Sequence, residues 1–138
     1  MKKFILILLL CAAPAAFLMA QENNKTPEQR EKEMYEAIQA QVDHLTESLE
    51  LEGWQTFYVD SILTHDYKAL QAEIAALSAS KVSNADLFYD AQDKWMEKMY
   101  QSLHKVFNEE QWSKYLKSGA QRDKKARDKR AAKKNKKS

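Results

Sequence analysis

The 138-residue sequence is poor in three residue types: it has one cysteine, two prolines and two glycines. The cysteine, Cys11, lies inside an N-terminal apolar run, so a chain without that run has no disulfide, no thiolate metal site and no cysteine nucleophile. Beyond the run only Pro27, Gly53 and Gly119 remain as strong breakers. That is too few for the many tight turns of a β-sandwich, and it predicts helix throughout. Isolated glycines also cannot build a loop that cradles phosphates. His44, His65 and His104 are far apart and form no His-x-x-x-His pair. Asp43-His44 and His65-Asp66 are neighbours whose side chains leave a helix about 100° apart. No Ser-His-Asp spacing occurs, and the carboxylates fall on solvated faces. The sequence therefore reads as a non-enzyme, with no catalytic, cofactor-binding or metal-ligating residues and no cofactor.

The N-terminus carries a different signal. Lys2 and Lys3 precede an apolar stretch, Phe4 to Ala20, followed by the polar Gln21-Glu22-Asn23-Asn24. A short basic start, an apolar core and a small boundary residue predict a secretory signal peptide over 1–20, cleaved near Ala20, and a periplasmic protein. Two other fates are open to the same run. It is at the short limit for a retained membrane anchor and is interrupted by Pro14. Leu8-Leu9-Leu10-Cys11 is also like a lipoprotein box, with Leu10 where a small residue is expected.

Charge divides the remainder. Residues 121–138 hold ten Lys/Arg and two Asp, net +8, whereas 21–120 hold ten basic and eighteen acidic residues, net −8. An acidic body carries a basic tail. After a short linker (21–25), Thr26-Pro27-Glu28-Gln29 supplies a helix start with a capping box. Met34, Ile38, Val42, Leu45 and Leu49 then recur at helical spacing. A second helix restarts at Glu52-Gly53-Trp54-Gln55 with a stripe of Trp54, Tyr58, Ile62, Leu63, Tyr67, Leu70, Ile74 and Leu77. Run from 52 to 79, it would span roughly 42 Å. A joint at 80–84, capped by Ser83 or Asn84, leads to a third helix with Leu87, Phe88, Ala91, Trp95, Met99, Leu103, Val106 and Phe107. Asn108-Glu109-Glu110-Gln111 is another capping box and opens a short fourth helix with Trp112, Tyr115 and Leu116. The fold predicted is all-α, four helices over 26–118 forming an elongated helical hairpin. The tail, 119–138, has nothing to bury and is expected to be disordered or a solvated helical extension.

Leu51-Glu52-Gly53-Trp54-Gln55 and Phe107-Asn108-Glu109-Glu110-Gln111 each set an apolar residue, a polar residue, two more residues and a glutamine at a helix start. This resembles the paired Leu-Thr-x-x-Gln signature of the Spy/CpxP-like periplasmic proteins. Leu51, Gln55 and Gln111 fit the signature, Phe107 replaces a leucine, and Glu52 and Asn108 stand where threonine belongs. The resemblance implies a homodimer whose bowed hairpins form a cradle for unfolded envelope proteins, used without ATP, or an inhibitory partner of envelope-stress sensors. Leu51, Gln55, Asn108 and Gln111 would then be structural, shaping the hairpin turns.

Aromatics are the other notable group. Most fill a core, but Phe57, Tyr89 and Tyr100 sit beside the stripes, and a thin helical layer cannot hide every ring. Part of the set should line an exposed apolar face suited to partners or clients, with Met96 and Met99 as adaptable contacts. Phe57, Tyr58, Tyr89, Met96 and Tyr100 are the contact candidates. The predicted function is ATP-independent binding of unfolded or envelope proteins. The competing reading is a structural envelope protein held on an anionic membrane surface by its basic tail. The tail could equally serve solubility or reach the acidic body of another copy. Nucleic acid is not expected as a partner, since the tail has no rings to stack on bases.

Overall fold

The computed structural model describes residues 25–81 and 83–138. The apolar run, Cys11 and most of the linker lie outside them. The described residues form five α-helices: α1 (Pro27–Ser48), α2 (Gly53–Ala79), α3 (Ala85–Val106), α4 (Glu109–Tyr115) and, after a π-helical turn at Leu116–Ala120, α5 (Gln121–Lys137). The all-α expectation holds, and the four predicted helices start where their caps are. No helix among these residues is long and apolar enough to cross a membrane. The described residues divide into two units, 25–36 and 37–138.

In the first unit, Thr26 and Gln29 close the capping box. Thr26 Oγ1 accepts from the Gln29 N–H at 3.2 Å, and Gln29 Oε1 accepts from the Thr26 N–H at 3.0 Å. Lys25 pairs with Glu33 at 2.6 Å.

The second unit holds the core. Its buried apolar side chains are Ile38, Val42, Leu45 and Leu49, Val59, Leu63 and Leu70 of α2, Ala91, Met99 and Leu103 of α3, and Phe107. Burying each large side chain contributes about 1.5–3 kcal/mol, so this layer dominates the stability of the unit. Helices α2 and α3 run antiparallel. Gln55 Nε2 donates to the Val106 carbonyl at 3.0 Å near one end, and Trp95 Nε1 donates to Glu73 at 2.7 Å towards the other. Polar ties join α1 to α2 at Thr46–Thr56 (3.0 Å) and Gln39–Asp60 (3.2 Å).

The stripe on α2 differs from the sequence expectation. The buried residues are Gln55, Val59, Leu63, Asp66 and Leu70, whereas Trp54 and Tyr58 are exposed. The buried set falls within an arc of about 80° at 100° per residue. Buried Asp66 also meets its neighbour, with 2.8 Å between His65 Nδ1 and Asp66 Oδ1, where the helical projection would have kept the two side chains apart.

Helix α1 ends without glycine. The Leu51 N–H reaches back to the Thr46 carbonyl at 3.0 Å, and Glu50 takes the left-handed conformation at φ 51°. This is the C-terminal cap geometry that favours glycine. Glu50→Gly relieves the crowding of Cβ against the following carbonyl and offsets this partly by loosening the unfolded chain. The net effect expected is a stabilisation of about 0.5–1 kcal/mol, read as a higher Tm by thermal denaturation.

Candidate protein-binding face

Two glutamines set the geometry of the site. Gln55 and Gln111 are both buried, and their amides face each other. Gln55 Nε2 donates to Gln111 Oε1 at 2.7 Å, and Gln111 Nε2 donates to Gln55 Oε1 at 3.1 Å. Each remaining N–H finds a carbonyl, that of Val106 for Gln55 (3.0 Å) and that of Leu49 for Gln111 (3.4 Å). Each oxygen also accepts from the backbone N–H that opens its own helix, Glu52 at 2.9 Å and Asn108 at 3.0 Å. Every donor and acceptor of both amides is thus used, which is the condition under which a buried polar pair is tolerated. The two motif repeats are one reciprocal lock. Asn108 caps α4 through Oδ1, accepting from the Gln111 N–H at 2.8 Å. The Glu52 carboxylate accepts from Trp54 Nε1 at 2.7 Å, and Leu51 is half-buried.

With Gln55 held inward, the residues on the far side of α2 turn outward. Trp54, Phe57 and Tyr58 are 53%, 67% and 52% exposed. Their rings touch edge to face, at 6.2 Å for Trp54–Tyr58 and 5.7 Å for Phe57–Tyr58. These three rings form one apolar patch on a single turn.

The five contact candidates do not share one face. Phe57 and Tyr58 belong to this patch. Tyr89 is exposed with Leu87 on the first turns of α3, by the α2–α3 joint and roughly 30 Å along the hairpin from Phe57. Met96 and Tyr100 are half-buried and line a cavity of about 180 Å³ with Leu63, Tyr67, Tyr115 and Arg127. Tyr100 also meets Trp112 at 4.9 Å, and Trp112 stacks on His104 at 4.0 Å. Rings at this end cover one another, so Tyr100 is not part of an open surface. Burial raises the phenol of Tyr67, and it pushes that of Tyr115 up to about 12. Trp54, by contrast, belongs to the outward patch. The signal that places it there is the neighbouring motif glutamine, which fixes the rotation of the helix.

The tail is helical but only partly solvated. Helix α5 runs antiparallel to α3, and one of its faces meets a row of carboxylates. Arg130 forms a two-pronged pair with Asp93, both bonds at 2.7 Å. Lys124 and Arg127 reach Glu97 at 2.9 and 3.2 Å, and Lys134 pairs with Asp90. Burial alone would raise the Glu97 carboxyl, but hydrogen bonds from Lys124, Gln101 and Arg127 outweigh it and hold the group below its ordinary value. Arg127 lies over the Tyr100 ring at 5.5 Å, and its Nη2 is buried with no hydrogen-bond partner. A cleft of about 350 Å³ separates the two helices. The link that allows this return is Gly119, at φ 126°, where a side chain is strained.

No group of three or more His, Cys, Asp or Glu side chains gathers as a metal site among the described residues. In comparisons with known proteins, no family model, no curated protein and no solved structure matches this chain.

Proposed function

We propose that the protein binds unfolded or partly folded polypeptides, without nucleotide, through the exposed rings of Trp54, Phe57 and Tyr58. The observation that carries this reading is that three contiguous rings, each more than half exposed, stand on a helix whose rotation is fixed by a buried amide pair. Exposed apolar patches rimmed by polar residues mark interaction surfaces. Flat rings with few rotatable bonds gain contact area at little entropic cost, and a rigid scaffold adds to this advantage. Leu87 and Tyr89 would offer a second, separate contact for an extended chain. On the reading of 1–20 as a secretory signal, this activity would lie outside the cytoplasm, where contact must be reversible by affinity alone, and the acidic body would speed encounter with basic segments.

The test is light scattering of a chemically unfolded model client in the presence of equimolar protein. Wild type is expected to slow aggregation, and Phe57→Ser with Tyr58→Ser to lose at least fivefold of that effect. Both positions face solvent, so the fold persists. Failure of the wild type to slow aggregation overturns the reading. The same pair of substitutions distinguishes a homodimer built on this face: sedimentation would then show a wild-type dimer and a monomeric variant, with client aggregation unchanged by either.

A further inference from the structure

We propose that the outward face of α5 is a docking surface for anionic lipid bilayers, used while the helix remains paired with α3. This goes beyond the polypeptide-binding reading and rests on different residues. Nine of the ten basic side chains of α5 divide by direction; the tenth, Arg122, lies on the outward side beside Asp123. Lys124, Arg127, Arg130 and Lys134 face α3 and are neutralised by Glu97, Asp93 and Asp90. Lys125, Lys129, Lys133, Lys136 and Lys137 are all exposed and make no ion pair or hydrogen bond among the described residues. At 100° per residue these five fall within an arc of about 120°, centred about 140° around the helix from the paired set.

Residue type largely follows the same division. Arg127 and Arg130, whose planar guanidinium can grip a carboxylate with two bonds, lie on the paired face. Apart from Arg122, which pairs with its neighbour Asp123 at 3.4 Å, the outward face is lysine, a row of hydrated point charges on flexible stems. From Lys125 to Lys137 the row is about 18 Å long. It carries no ring to stack on a base and no apolar side chain to insert into a bilayer. A straight array of ammonium groups held by a docked helix is complementary to a plane of negative headgroups, and the attachment would be peripheral and salt-sensitive. Because Glu97, Asp93 and Asp90 occupy the other face, docking leaves these five lysines available and fixes which side of the protein meets the membrane.

Co-sedimentation of the full chain with vesicles at low salt tests the proposal, comparing phosphatidylcholine alone with phosphatidylcholine containing phosphatidylglycerol. The apolar run at 4–20 would contribute equally to both, so the ratio of the two affinities is the readout. Anionic vesicles are expected to bind more tightly. Each basic residue near such a surface strengthens partitioning on the order of fivefold, so Lys125→Gln, Lys129→Gln and Lys133→Gln together lower the ratio on the order of 100-fold. Replacing the same three by arginine keeps the ratio. Lys124→Gln, Arg130→Gln and Lys134→Gln, which remove three of the four paired charges, change it by well under tenfold. Equal losses from the two glutamine sets, or no preference for anionic vesicles, overturn the proposal. So does tighter binding to a single-stranded oligonucleotide than to the vesicles at the same salt.

Discussion

Gln111→Leu is expected to lower the free energy of unfolding by about 3 kcal/mol, because its side-chain amide serves four partners at once. Leucine fills similar space but leaves the Leu49 carbonyl, the Asn108 N–H and both ends of the Gln55 amide without their bonds. An unsatisfied buried group costs about 1–3 kcal/mol, and relaxation towards water recovers part of that at Asn108, which is exposed. Gln55→Leu should cost a similar amount for the same reason, orphaning Gln111, the Val106 carbonyl and the Glu52 N–H. The double variant is the sharper measurement. Once both amides are gone, neither is left stranded by the other, so the combined loss falls short of the sum by about 1–2 kcal/mol. Strict additivity in urea unfolding would mean that the two amides do not act as a pair. Gln111→Glu adds a check by pH. A carboxylate there faces the Leu49 carbonyl and the Gln55 oxygen, so burial and acceptors both favour its protonated form. Its folded pKa is raised, the stability it contributes is present below the unfolded value, and it is lost as pH rises through the folded one.

This pair also explains how far the sequence could be read. Helix starts were legible because caps are local. Thr26 with Gln29 and Asn108 with Gln111 announce their helices within four residues, and at the third start Asn84 accepts from the Asp86 N–H at 3.0 Å. The motif glutamines were legible as turn-shaping residues from their repetition. Their contact with each other was not, because it spans 56 residues and depends on how two helix ends meet. The rotation of α2 was misjudged for the same reason. Trp54, Tyr58 and Ile62 make a more apolar stripe than Gln55, Val59 and Asp66, and periodicity weighs side chains by hydrophobicity alone. A saturated amide pair outweighs that difference, since exposing Gln55 would strand Gln111. The rings beside it are left outside, so the candidate face is a consequence of the polar lock.

A helical tail is among the sequence's expectations, but its return onto α3 is not. Its lack of apolar residues leaves it nothing to bury and gives no sign of where its charges pair within the chain. Yet the acids at 90, 93 and 97 match Lys134, Arg130 and Arg127 in reverse order at helical spacing. Charge pattern carried the information that hydropathy did not. Among the described residues α5 has no buried side chain, so its position depends on ion pairs and the packing of half-buried Ala126 and Arg127.

Release of α5 is accordingly expected from very little: Asp93→Arg with Glu97→Arg detaches the helix while the core stays folded. Exposed pairs contribute about 0.2–1 kcal/mol each, so the four that cross to α3 total on the order of 2 kcal/mol. Reversal converts three of them to repulsion, the two-pronged Arg130–Asp93 contact included. A 17-residue helix rich in Lys and Arg is marginal alone, and freed from α3 it should unwind. Amide exchange over 121–137 is expected to rise by at least tenfold in the variant, with protection in α2 and α3 unchanged. Salt gives the same result without mutation, because at 1 M the screening length is about 3 Å. Acid gives it a third way. The Glu97 carboxyl lies below its ordinary value, so its contribution is complete above the unfolded pKa and is lost as pH falls through the folded one. Lys124 is shifted upward by its hydrogen bonds to Asp128 and Glu97, so its contribution persists at neutral pH and disappears only as pH rises beyond the usual lysine range. Docking should therefore hold across neutral pH, fail in acid and fail in 1 M salt. Full protection of α5 under either of the last two conditions would show that packing, and not charge, holds the tail in place.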